Sequence, residues 1–147
     1  MSKVNIMGVL NLTPDSFYDG NKKSLSDKKY LDIKVEELLN SDIIDIGCES
    51  SRPGSKPISS HLEIDRLTNI LDIVSANNSK LFSIDTYKPK VAEYALKNGF
   101  SMINDIYAGK FDGNKMFKIA SDFNVPIVLM HMKGNPANMQ KNTSYDS

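Results

Sequence analysis

Val4-Asn5-Ile6-Met7-Gly8-Val9-Leu10-Asn11-Leu12-Thr13-Pro14-Asp15-Ser16-Phe17-Tyr18-Asp19-Gly20 is the stretch whose reading decides the fold. It begins as an apolar run of strand type and loses that character after Leu10. Pro14 removes a backbone donor and Asp19-Gly20 favours a turn, so the strand gives way to a polar loop. A dinucleotide-binding open sheet would carry a glycine-rich turn at this point, directly after its first strand. Here the position holds Asn-Leu-Thr-Pro-Asp-Ser, with no GxGxxG and no phosphate-gripping lysine. A barrel is favoured over a doubly wound sheet.

Downstream the chain alternates between two periods. Leu31, Val35, Leu38 and Leu39 recur at helical spacing, with Ser24 and Asp27 as the capping signal and Asn40-Ser41 as the stop. Ile43 to Ile46 reads as a short buried strand rich in β-branched residues. Ser60 and Glu63 read as a capping box opening one helix with Ile64, Leu67, Leu71 and Val74 on its face, closed by Asn77-Asn78. Leu81 to Ile84 is a third strand. Pro89 then opens a helix through Val91, Ala92, Ala95 and Leu96, stopped by αL capping at Asn98-Gly99. Ser101 to Ile103 is a fourth strand, Met116, Ile119, Ala120 and Phe123 mark a fourth helix, and Pro126 to Met130 is a fifth strand. Such alternation means βαβ units, hence a parallel sheet with right-handed crossovers. The expected fold is α/β: the (β/α) units of a TIM (β/α)8 barrel, truncated after about five strands and four helices, in one partial domain over residues 1–147.

The unusual polar residues fall at the carboxyl ends of successive strands: Asn11, then Glu49, Ser51 and Arg52, then Asp85, then Asn104 and Asp105, then His131. In parallel α/β folds that rim is where loops converge on a site. The residue types suggest an anionic substrate with a divalent metal. Asn11 offers an amide oxygen suited to Mg²⁺, Arg52 can grip a phosphate or carboxylate bidentately, and Asp85 with Asn104 could read a heterocycle's ring nitrogens. Each has a structural alternative. Asn11 could cap its turn, Arg52 could be a surface cation, Asp85 could N-cap the next helix, and Asn104 could serve a neighbouring loop. Asp45, inside a strand, reads as a structural hydrogen-bonding group, and His131 between two methionines as a packed side chain.

The totals narrow the classes. Lys+Arg and Asp+Glu are both 18, and basic residues are scattered, which argues against a nucleic-acid partner and against membrane attraction. The single Cys48 excludes an intrachain disulfide framework and fits a reducing compartment, so the expected localisation is cytoplasmic. No apolar run approaches the roughly 18 residues of a membrane span.

These motifs together resemble the dihydropteroate synthases, pterin-binding barrels of folate biosynthesis. Met7 to Gly20 is similar to the first signature of that family and Asp45 to Ser55 to the second. Ser83 to Pro89, Ile103 to Ile106 and Leu129 to Pro136 continue the series in order. The resemblance implies a transferase that joins 7,8-dihydropterin-6-ylmethyl diphosphate to 4-aminobenzoate and releases diphosphate, with Mg²⁺ as cofactor and a homodimer when complete. By position, Asn11 would be the Mg²⁺ ligand. Asp85 and Asn104 would hold the pterin, Asp85 also favouring the developing cation. Ser51 and Arg52 would bind the phosphate end, and Phe17, Asp19 and Pro53 would belong to two loops that form the aminobenzoate pocket. Ser51 replaces the family's usual Thr, and Cys48 its usual Gly, which shifts the loop if that Gly needs a positive φ. The resemblance also implies further site residues beyond Ser147, so the chain reads as an N-terminal fragment or a truncated product. The alternatives are a pterin-binding module of the folate-dependent methyltransferase type and a non-catalytic remnant.

Overall fold

The structure, a computed structural model, describes residues 4–13, 27–50, 55–134, 138 and 144. Their elements alternate as β1 (Met7–Asn11), α1 (Lys28–Leu38), β2 (Ile43–Gly47), α2 (Ser60–Thr68), α3 (Leu71–Ala76), β3 (Leu81–Asp85), α4 (Pro89–Lys97), β4 (Met102–Asp105), α5 (Lys115–Asp122) and β5 (Ile127–Leu129). All pairings are parallel, in the order β1-β2-β3-β4-β5. That order separates the two architectures left open by alternation alone. A doubly wound sheet reverses direction part-way, whereas a barrel adds each strand beside its predecessor. Nothing reverses here, so the sheet is a barrel wall.

The helix starts differ in detail from the sequence expectation. Asp27 itself caps α1, its Oδ1 accepting from Tyr30 N at 3.2 Å, while Ser24 lies outside the described residues. The capping box at Ser60 and Glu63 does not form. Ser59 is the cap, accepting from Leu62 N at 3.2 Å, and Ser60 is already helical. The expected single helix after it is two helices, so the described residues hold five rather than four. The break has a local cause: the Asn69 side chain donates to the carbonyls of Asp65 and Arg66, taking acceptors that the next helical turn would need. Asn77 and Asn98 act the same way at the ends of α3 and α4, donating to Ile73 and Tyr94. Gly99 then turns at φ +96°, as αL capping requires.

One face of the sheet carries the core. Ile44, Ile46, Phe82, Ile84 and Ile103 from the strands pack on Leu31, Val35, Leu67, Val91 and Met116 from the helices, all essentially inaccessible. Side chains alternate along a strand, so the intervening residues point to the opposite face. There Val9, Leu81 and Val128 are 56%, 53% and 39% exposed. Parallel sheets are normally covered on both faces, and β1 and β5 end the sheet as unpaired edges among the described residues. The 147-residue chain alone is therefore expected to associate with itself, seen as concentration-dependent sedimentation and dye binding; a monodisperse monomer with a sharp thermal transition would contradict this.

Candidate functional site

In-register parallel pairing levels the strand ends. Asn11 pairs with Gly47, Gly47 with Asp85, Asp85 with Asn104, and Asn104 with Val128. Three residues singled out by sequence, Asn11, Asp85 and Asn104, thus share one lateral row on the uncovered face. Gly47, which sequence reasoning passed over, sits between the first two. A Cβ there would lie 2.9 Å from Asn11 Oδ1 and 3.3 Å from Asp85 Oδ2. The missing side chain leaves one opening flanked by an amide oxygen and a carboxylate oxygen. Both are hard donors of the kind Mg²⁺ takes, and Mg²⁺ binds through few protein ligands plus substrate oxygens. Among the described residues no group of three His, Cys, Asp or Glu side chains is arranged to hold a metal.

Asp85 does not cap the following helix; Lys88 occupies that position, with Pro89 in the first turn. Its carboxyl is pushed up to about 7, first by burial and then by Asp45, Glu63, Asp105 and Glu49 around it. One row lower on the same face, Asp45 pairs with Val9 and Ser83. It is 2% exposed and accepts the Asn104 side-chain amide at 3.0 Å. Burial pushes its carboxyl up, against the relief from Ser83 and Asn104. Asp45 is a hydrogen-bonding group, as its place inside a strand suggested, but its partner is a site residue.

A buried ionic cluster braces the row from behind. The Lys88 ammonium pairs with Glu49, and with Glu63 at 2.6 Å. Tyr87 Oη donates to Glu49 Oε1 at 2.8 Å, and Ile58 N to Glu49 Oε2 at 3.2 Å. Arg66 Nη1 donates to the Cys48 carbonyl at 2.7 Å. These contacts tie the segment after β2 to the turn after β3. The sequence carried one clue to Glu63, which lies one helical turn before Leu67 and so falls on α2's apolar stripe. Beside the cluster, Tyr87, Tyr107 and Phe111 form an aromatic trio, with Tyr87 4.7 Å and 4.6 Å from the other two ring centres.

Other strand-end residues do different work. Asp105 is fully buried, and its two carboxylate oxygens accept from Tyr107 N and Gly109 N, both at 2.8 Å, closing the turn after β4. His131 is exposed rather than packed, and with Met130, Tyr107 and Lys110 it lines a cleft beside the row. Cys48 does not require a positive φ; its side chain joins the core and burial pushes its thiol up. Phe17, Asp19, Ser51, Arg52 and Pro53 lie outside the described residues. The residues bordering 51–54 are joined by Ser55 Oγ donating to the Ser50 carbonyl at 2.5 Å.

Two outcomes follow. Lys88→Ala leaves two carboxylates buried without their cation, which costs about 3–5 kcal/mol in urea unfolding. The exposed Lys118, paired with Asp122, is the control, and Lys118→Ala is expected to change little. Asp85 has a native pKa raised above its ordinary 3.8 to about 7. The native state therefore binds more protons than the unfolded state between those values, and stability falls as pH rises through that window. Asp85→Asn should flatten the fall, measured by thermal unfolding from pH 4 to pH 8.

The chain is matched over residues 7–147 by the family model described as pterin binding enzyme. It is 44% identical over 128 residues to a dihydropteroate synthase of Streptococcus pyogenes, covering 86% of this chain and 47% of that protein. Among solved structures, a Xanthomonas albilineans dihydropteroate synthase with 4-aminobenzoic acid superposes at a TM-score of 0.76 and 35% identity, covering 88% of this chain and 47% of the other. A Burkholderia cenocepacia dihydropteroate synthase complexed with 7,8-dihydropteroate superposes at 0.72 and 32% identity, covering 95% and 45%. The chain thus spans about half the length of these relatives. With the strand-end row in place and a family match running from β1 to Ser147, this chain belongs to the pterin-binding enzyme family.

Proposed function

We propose that the complete protein carrying this chain is a dihydropteroate synthase, joining 7,8-dihydropterin-6-ylmethyl diphosphate to 4-aminobenzoate. The reading is carried by one observation: Asn11 Oδ1 and Asp85 Oδ2 flank the opening above Gly47, with Asn104 next in the row. The likeness to dihydropteroate synthases with aminobenzoate and dihydropteroate bound supports it.

In the reaction, the C–O bond from the pterin methylene to diphosphate breaks and leaves a cation delocalised over the ring. The aminobenzoate nitrogen then forms the new C–N bond and loses a proton. Asp85 and Asn104 hold the pterin ring, and the Asp85 carboxylate, surrounded by other acids, favours the developing positive charge. The family resemblance assigns Ser51 and Arg52 to the diphosphate end, and Phe17, Asp19 and Pro53 to the aminobenzoate and to keeping water from the cation. Asn11 would hold Mg²⁺, which would supply positive charge to offset that of the diphosphate. No helix among the described residues is long and apolar enough to cross a membrane. The lone buried Cys48 supports a reducing, cytoplasmic setting, and the family resemblance supports a homodimer.

The test is diphosphate release by the complete protein given both substrates and Mg²⁺; no release refutes the reading, and pterin binding without release would point to a binding module. Asn11→Ala is expected to raise the Mg²⁺ needed for half-maximal rate roughly tenfold, the loss of about 1.4 kcal/mol of binding. An unchanged Mg²⁺ requirement would remove Asn11 from the metal site.

A further inference from the structure

We propose that Asp45 sets the specificity of the site: by capturing the Asn104 amide N–H, it turns the Asn104 carbonyl oxygen toward the ligand and commits the site to the donor edge of a heterocycle. The inference rests on the pterin-binding reading above and adds to it a residue one row beneath the strand ends.

Asn104 lies on β4 and Asp45 on β2, so the 3.0 Å hydrogen bond between their side chains reaches across the intervening β3. An amide side chain has a donor end and an acceptor end, and either can face a ligand. An ionised carboxylate only accepts, so it binds the Nδ2 end and leaves Oδ1 outward. Among the described residues no hydrogen bond is made to Asn104 Oδ1. The neighbouring Asp85, in its ionised form, is also an acceptor. Side by side, Asp85 and Asn104 then present acceptors alone, which suits a ring edge carrying adjacent N–H and N–H₂ groups and penalises one carrying ring-nitrogen acceptors.

The contrast with Asp105 separates this role from a structural one. Both Asp105 oxygens are held by backbone N–H groups, as expected of a buried carboxylate that stabilises a turn. Asp45 is as deeply placed, yet no backbone N–H of the described residues holds it: the Ser83 hydroxyl lies beside it outside good hydrogen-bond geometry, and its Oδ1 is left without a well-formed bond. A half-satisfied buried carboxylate costs stability. Its longer-range partner is Asn104, a residue of the ligand row on another strand, so the benefit lies in what Asn104 is made to present.

The experiment uses the complete protein and measures KM for 7,8-dihydropterin-6-ylmethyl diphosphate and for 4-aminobenzoate. Asp45→Asn preserves volume but can offer either amide end to Asn104, so the orientation is no longer fixed. The pterin KM should rise about tenfold while the aminobenzoate KM stays within about twofold. In an Asn104→Ala background the same substitution should have less than about a twofold further effect, because Asp45 acts through Asn104. An unchanged pterin KM, or a full tenfold effect without Asn104, overturns the inference. A ligand-side measurement needs no variant: a dihydropterin lacking its 2-amino group should bind the unaltered protein at least about tenfold more weakly, and equal binding also overturns it. An active enzyme with a silent Asp45→Asn defeats only this inference, whereas an unaltered protein that neither binds pterin nor releases diphosphate defeats the parent reading as well.

Discussion

The site depends on parallel strands that pair without offset. Because Asn11, Gly47, Asp85, Asn104 and Val128 fall in one lateral row, residues from across the whole sheet become neighbours. The strict two-residue alternation of a strand then decides which of them face the helices and which face the site. A slip of one residue in β2 would point Asp45 into the apolar layer of Ile44 and Ile46 and bring a branched side chain to the place of Gly47. The helices hold the register indirectly, since that apolar layer can be buried in only one phase.

Around the row the charge is lopsided. Asp45, Glu49, Glu63, Asp85 and Asp105 gather there, while the buried lysine, Lys88, is taken by Glu49 and Glu63. Asp85 receives no such cation from the described side chains, and its neighbours raise its pKa rather than lower it. Gathered acids make ionising Asp85 costly, and a positive charge placed beside it would favour its ionised form.

Much of this was readable in the residues alone. A strand announces its end when branched apolar residues give way to Asn, Asp or Glu, so the strand-end places of Asn11, Asp85 and Asn104 were legible, and the register sets them in one row. What stayed hidden depends on distance rather than on type. The role of Gly47 is a gap between two oxygens on other strands. Lys88 meets Glu63 and Glu49 across 25 and 39 residues of sequence, and nothing local marks that meeting. Glu63 misled directly, since Ser-x-x-Glu is a capping signature, whereas Ser59 won the cap and left Glu63 one position too deep to reach it. The break at Asn69 was missed because an Asn inside an apolar stripe reads as tolerated until its side chain is seen bonded to the carbonyls behind it.

Cys48 sits at the base of this arrangement, fully buried, with a thiol that burial keeps protonated and a carbonyl held by Arg66. Alkylating reagents and peroxides attack the thiolate, and they must reach it. In the folded chain both conditions fail, so modification has to wait until the end of β2 detaches from its packing. The rate at which Cys48 is labelled then counts how often that strand end breathes, making this one sulfur atom a native clock for the opening of the scaffold beneath the site.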